Sequence, residues 1–170
     1  ADMFPDEKHF YLNNRGNSYY YRGDYSTAIG YFRKVVELVK DYPDMSWALN
    51  LSYLNLSDCF LQLNKTDSVA KYLELCQPFF EELGSTTALY YIDTQKIELA
   101  LQCKDFAEAR RLLAMSKASP EIDADMIHIR NKYLQQFYEE TGNYRQAYDY
   151  LKENKRLDDS IRNERIRMRT

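Results

Sequence analysis

The chain has 170 residues, a net charge of -3 and a sequence pI near 5.5, with only 5 glycines and 4 prolines but 16 tyrosines. That length suits one domain with a sizeable core, the acidic balance argues against direct binding of nucleic acid, and so few turn residues argue against a β-sandwich or barrel. No apolar run of about 18 residues is available to cross a membrane, and the opening ADMFPDEKHF lacks the basic and apolar regions of a signal peptide.

Apolar periodicity predicts eight helices, over about 7–22, 25–40, 46–63, 66–83, 86–102, 106–118, 122–141 and 144–168. In the first, Leu12, Gly16 and Tyr19 share a face, and Gly16 lets a partner helix come close. GDYSTAIGYF at 23–32 then opens the second helix, with Asp24 as its N-cap. Pro43-Asp44 marks a boundary. Ser57 and Phe60 repeat the small and aromatic positions in the third helix, and NKTDSVAKYL at 64–73 is a looser copy of the opening phrase. Pro78 falls inside the fourth predicted helix, where a kink or an early end is expected. Gly84-Ser85 reads as a C′ glycine followed by an N-cap.

The fifth helix carries Ile97 and Ala100 where a small and an aromatic residue belong, so this repeat is expected to be the least regular, with altered stacking on the one before. KDFAEARRLL at 104–113 follows, with Asp105 as N-cap. Ser119-Pro120-Glu121 reads as the start of the seventh helix, with proline at its first position. GNYRQAYDYL at 142–151, capped by Asn143, repeats the first phrase closely. The anchors Ala28, Val69, Ala109 and Ala147 are spaced by 41, 40 and 38 residues. The three alanines are expected to be buried where paired helices approach. On the same face follow Phe32, Leu73, Leu113 and Leu151, and then Val35, Cys76, Ser116 and Asn154, so the apolar face weakens toward the C-terminus.

Chemistry is sparse. Cys59, Cys76 and Cys103 form no C-x-x-C pair and read as small buried hydrophobes in helices. His9 and His128 lack neighbours at metal-ligand spacing. Glu81-Glu82, Glu139-Glu140 and Asp158-Asp159 read as solvated helix faces. G-x-S-x-G, H-E-x-x-H and Walker glycine loops are absent from the sequence. The sequence predicts a non-catalytic chain with no cofactor and no metal.

Four such phrases in register resemble tetratricopeptide repeats. Leu12, Gly16, Tyr19, Ala28 and Phe32 match the family pattern in the first repeat. Tyr53, Leu56, Ser57, Phe60 and Leu73 match in the second, with Val69 a larger substitute. Ala109 and Leu113 match in the third, where Asp93, Ile97 and Ala100 depart. Leu134, Tyr138, Ala147 and Leu151 match in the fourth, where Gln135 departs. The resemblance implies an all-α, right-handed α-α superhelix of about four antiparallel hairpins with an extended C-terminal helix. It implies one domain over 1–170, with repeats at about 7–42, 46–83, 86–118 and 122–156 and an extension over 157–170. These repeats run longer than the family's usual unit of about 34 residues, so longer helices or connections are expected.

The resemblance also implies a concave groove lined by the first helix of each pair. Its positions here are Asn13, Asn17, Tyr20 and Tyr21; Leu51, Asn55, Asp58 and Gln62; Tyr91, Gln95, Glu98 and Gln102; and Lys132, Tyr133 and Gln136. This amide- and tyrosine-rich set suits a protein or peptide partner. Some family members clamp the C-terminal carboxylate of chaperones between two asparagines and three basic residues. Asn17 and Asn55 match the amides, but Asn13, Tyr91 and Gln95 stand where the cations belong, which excludes that clamp.

Beyond the last repeat, Leu157, Ile161 and Met168 continue an apolar seam interrupted by Glu164, among Arg162, Arg165, Arg167 and Arg169. This reads as a cap on the last repeat or as the first turns of a coiled-coil linker able to pair two copies. The L-x-D-S-I-x-N-E segment resembles the sensor regions of Bacteroidetes histidine-kinase and helix-turn-helix regulators. That resemblance implies an input domain of a larger bacterial signalling protein, extracytoplasmic in that case and cytoplasmic otherwise. The alternatives are a stand-alone adaptor that binds a peptide in its groove, and an enzyme or small-ligand protein with a pocket in the superhelix.

Overall fold

A computed structural model of the chain describes residues 5–115 and 122–169. They form eight α-helices and no strand: α1 (Pro5–Tyr21), α2 (Tyr25–Val39), α3 (Ser46–Gln62), α4 (Thr66–Leu83), α5 (Thr86–Gln102), α6 (Phe106–Met115), α7 (Ala124–Glu140) and α8 (Tyr144–Arg169). A 3₁₀ turn, Pro43–Met45, precedes α3. The all-α expectation holds. The helices group into two compact units, Ala1–Ser85 and Thr86–Thr170.

Each helix pair is joined by the same turn. Gly23, Asn64, Lys104 and Gly142 have φ of 80°, 57°, 57° and 83°. Each stands five residues before its anchor. The next residue donates its N–H back across the turn: Asp24 to Tyr19 O (3.0 Å), Lys65 to Phe60 O (2.9 Å), Asp105 to Ala100 O (2.8 Å) and Asn143 to Tyr138 O (2.8 Å). This closes the carbonyl end of the first helix of each pair. The second helix is then capped as expected in three pairs. Asp24 Oδ1 accepts from Thr27 N at 3.2 Å, Asp105 Oδ1 from Glu108 N at 3.1 Å, and Asn143 Oδ1 from Gln146 N at 3.3 Å. Lys65 offers no side-chain cap in the second pair, consistent with its looser phrase.

The left-handed turn makes a prediction. A Cβ on Gly142 would meet nothing within 4 Å, so Gly142→Ala changes only backbone strain. It should destabilise by about 1–2 kcal/mol, read as a lower urea midpoint; an unchanged midpoint would contradict this turn geometry.

In the first unit, α2 lies against both α1 and α3. Ala28, Ile29 and Phe32 pack with Leu56 and Cys59 of α3, while Val35 and Val39 pack with Leu12 and Met45. Ala28 and Val69 are fully buried. Gly16 is there for Phe32: a Cβ at Gly16 would lie 2.6 Å from the Phe32 ring. Aromatic pairs bind the two helices of a hairpin together. Tyr19 stacks on Tyr31 (5.5 Å) and Phe60 on Tyr72 (5.7 Å), each pair twelve residues apart.

Of the two outcomes expected at Pro78, the early end does not occur; α4 runs on to Leu83 and stops on left-handed Gly84. Pro78 and Glu74 are both exposed. On an exposed helix face water can take the carbonyl that a proline leaves unbonded.

In the second unit, α5 packs with α6 and α7, and α7 packs with α8. Ile97, Ala100 and Leu101 meet Ala109, Leu112 and Phe137. Tyr138 stacks on Tyr150 at 5.8 Å, repeating the twelve-residue aromatic pair. The third repeat puts Ala100 and Leu112 at those positions, both buried. The third repeat therefore lacks that aromatic stack. The expected helix start at Ser119-Pro120-Glu121, the last turn at 116–118 and the face position Ser116 lie outside the described residues. The described start of α7 is Ala124, with Asp123 Oδ1 accepting from Met126 N at 2.9 Å.

Leu151 lies on the predicted apolar face but is not covered. It is 49% exposed, and Tyr148 is 58% exposed, whereas their counterparts Phe32 and Ile29 are covered. Gln135 occupies the place of Gly16 and leaves no seat for the side chain. Among the described residues no helix follows α8 to cover that face, as α3 covers α2. Ala147 is buried, and Asn154, in the place of Val35, is buried and donates from Nδ2 to His128 O at 3.0 Å. α8 continues unbroken past Leu157, which is buried; Ile161 is half-buried, and Ile166 and Met168 are exposed.

Candidate functional site

The predicted groove positions of the first unit lie on α1 and α3. Asn55 Nδ2 donates to Asn13 Oδ1 at 3.2 Å, so the two helices present their amides side by side. Asn17, Tyr20, Leu51 and Gln62 are half-buried, and Tyr21 is 84% exposed. Tyr20 meets Tyr21 and Tyr25 edge-on, at 5.5 and 5.4 Å. Asp58 is buried, with Gln62 Nε2 donating to its Oδ1 at 3.3 Å. It holds the helix face in place more than it offers a charge to solvent.

In the second unit the predicted positions divide. Tyr91, Glu98 and Gln102 on α5 are half-buried, whereas Gln95 is buried. On α7, Tyr133 packs against the Ala109 core. Gln136 donates to Glu140 at 2.8 Å, and Glu140 pairs with Lys104 at 3.2 Å, so this glutamine braces the turn between α5 and α6. Lys132 is exposed and lines a hollow beside α8 with Tyr148 and Leu151.

A second concavity of this unit lies away from the predicted groove positions. A cavity of about 760 Å³ opens among α5, α6, α7 and α8. Ile127, Arg130, Asn131, Leu134, Phe137 and Tyr138 of α7 line it. Their spacing is that of one helical face. Arg130 and Asn131 are two polar residues set into an otherwise apolar seam, and that was the signal in the sequence. The preceding repeat has Ile92, fully buried, at the place of Arg130.

Arg130 is buried, and Tyr90 and Thr94 of α5 hold it. Its Nη2 donates to Tyr90 O (2.7 Å) and to Thr94 Oγ1 (2.8 Å), and its Nε to Thr94 Oγ1 (3.0 Å). Its Cζ stands 3.4 Å from the centre of the Tyr90 ring. Burial pushes the guanidinium's pKa down, against the opposing fields of Tyr90 and Asp93. Burial also pushes the Tyr90 and Tyr150 phenols up, which keeps them protonated as donors.

Among the described residues, no three His, Cys, Asp or Glu side chains gather as a metal set, and no helix is long and apolar enough to cross a membrane. His128 Nε2 lies 2.9 Å from Asp158 Oδ1, tying α7 to α8. Cys59 and Cys76 are buried, and burial pushes the Cys59 thiol up to about 12. Cys103 departs from the expectation: it is exposed in the turn after α5.

Comparison with known proteins agrees with this geometry. Residues 9–42 match the tetratricopeptide repeat family model. The fold is similar to the crystal structure of BtubC (BKLC) from P. vanneervenii, with a TM-score of 0.68 and 18% sequence identity over 95% of this chain and 67% of that one. No curated protein matches the sequence. Tetratricopeptide repeats imply a role in binding other proteins. Residues 9–42 form a tetratricopeptide repeat, and the three hairpins after it reproduce its turn and its buried anchor.

Proposed function

We propose that the chain is a non-catalytic interaction module whose first unit holds an extended peptide across α1 and α3. The observation that carries this reading is the Asn13–Asn55 bond, which sets two amides from different helices next to each other. Asn17 continues that row one turn along α1, half-buried and able to give and accept hydrogen bonds to a peptide backbone. Tyr20 and Tyr21 supply adjoining apolar surface. Asn13 stands where a carboxylate clamp would need a cation, so the recognised segment is internal to its protein and not a C-terminal tail. The finer reading is an input region of a larger bacterial signalling protein. Its support is α8, a 26-residue helix whose last turns carry arginines with exposed Ile166 and Met168. Such an end suits a connecting helix or a second copy.

A peptide array probed with the chain tests the central reading. Wild type should mark a defined set of internal peptides, and the triple variant N13A/N17A/N55A should lose them while its helical circular dichroism persists. Spots retained by the triple variant would contradict the α1–α3 site.

A further inference from the structure

We propose that the cavity among α5, α6, α7 and α8 is a binding site for a small organic anion with an aromatic or branched apolar body. Its volume of about 760 Å³ falls within the range of about 300–1,000 Å³ usual for small-molecule sites. The charge on its walls has one sign: Arg110 and Arg130 line it, and among the described residues its lining includes no aspartate or glutamate. Arg110 is exposed and forms no ion pair among the described residues; its guanidinium stands 5.9 Å above the Phe137 ring, held at the cavity by that contact. It is a cation positioned to meet an anion.

The second observation is Asn131. It is 6% exposed, lines the cavity, and its side-chain amide makes no hydrogen bond among the described residues. A bound carboxylate or sulfonate oxygen would accept its N–H. The remaining wall fixes the rest of the ligand. Leu134, Phe137 and the stacked Tyr138–Tyr150 pair offer a flat apolar surface that suits a ring or branched chain. The anion therefore lies between Arg110 and Asn131, with its body against Phe137. This site differs from the α1–α3 face in location and in ligand class, so neither reading depends on the other.

Isothermal titration of the whole chain with benzoate, 1-naphthoate, indole-3-acetate and decanoate, each beside its uncharged amide, tests the assignment. At least one carboxylate should bind saturably, and about tenfold or more tighter than its amide. Arg110→Gln should weaken it by a similar factor with unchanged thermal unfolding, because this side chain is exposed. Arg145→Gln, the same charge change away from the cavity, should leave it unaltered. Asn131→Leu should also weaken binding, with the fold checked by circular dichroism. No saturable binding by any of the four carboxylates, equal affinity for carboxylate and amide, or an equal effect of Arg110→Gln and Arg145→Gln would overturn the proposal.

Discussion

Phe32→Ala is expected to lower stability by about 3–5 kcal/mol. The ring is 1% exposed and packs with Ala28, Ile29, Leu56 and Cys59. It also fills the seat left by Gly16, whose added Cβ would stand 2.6 Å away. The cavity left by the ring has glycine on one side, which has no side chain to relax into it. Gly16→Leu should be destabilising too, through overpacking of about 1–3 kcal/mol. The double variant G16L/F32A should then recover part of the loss, because the new leucine occupies the vacated space. Urea denaturation of the four proteins measures the coupling. Strict additivity of the two single effects would contradict a direct contact.

Arg130→Ala is the second large effect, about 2–4 kcal/mol. It removes a desolvated cation–π contact worth about 2 kcal/mol and charged hydrogen bonds of about 1.5–3 kcal/mol. Part of that is offset by relief of the buried charge. The bonds from one guanidinium to Tyr90 O and Thr94 Oγ1 cross from α7 to α5, so the loss should loosen those two helices. Arg130→Lys should not restore it: an ammonium has no planar face for Tyr90 and no fixed fork for the two acceptors. Hydrogen exchange in α5 and α7 is the readout. Unchanged protection there would show that Arg130 is not a tie between the helices.

The fold was legible because its punctuation is local. Asp24, Asp105 and Asn143 cap helices whatever surrounds them, and glycine at 23 and 142 suits a left-handed turn by its own chemistry. Lys104 and Asn64 adopt the same turn without announcing it, since the geometry is imposed by the helices on either side. Pro78 does not end its helix, for the opposite reason. A proline penalty depends on whether the orphaned carbonyl can reach water, and exposure is a tertiary property. Leu151 shows the same limit: its periodicity matches Phe32, but burial needs both a small residue opposite and a following helix.

The sites divide along that line. Positions on α1 and α3 could be projected from the repeat register, and the Asn13–Asn55 bond joins two of them. Register alone could not tell that Asp58 and Gln95 are buried, because a helix face turns gradually from groove to core. The cavity around Arg130 is hard to read from sequence because a charged residue on a helix usually reads as solvated. Arg130 and Asn131 sit in phase with Ile127, Leu134 and Phe137, and that phase was the overlooked clue.

Hydrogen exchange of the chain alone and with an array-selected peptide tests the central claim most directly. New protection is expected in α1 around 13–20 and in α3 around 51–62, with α2 and α4 unchanged. Protection confined to α2 and α4, or to the second unit, would contradict it.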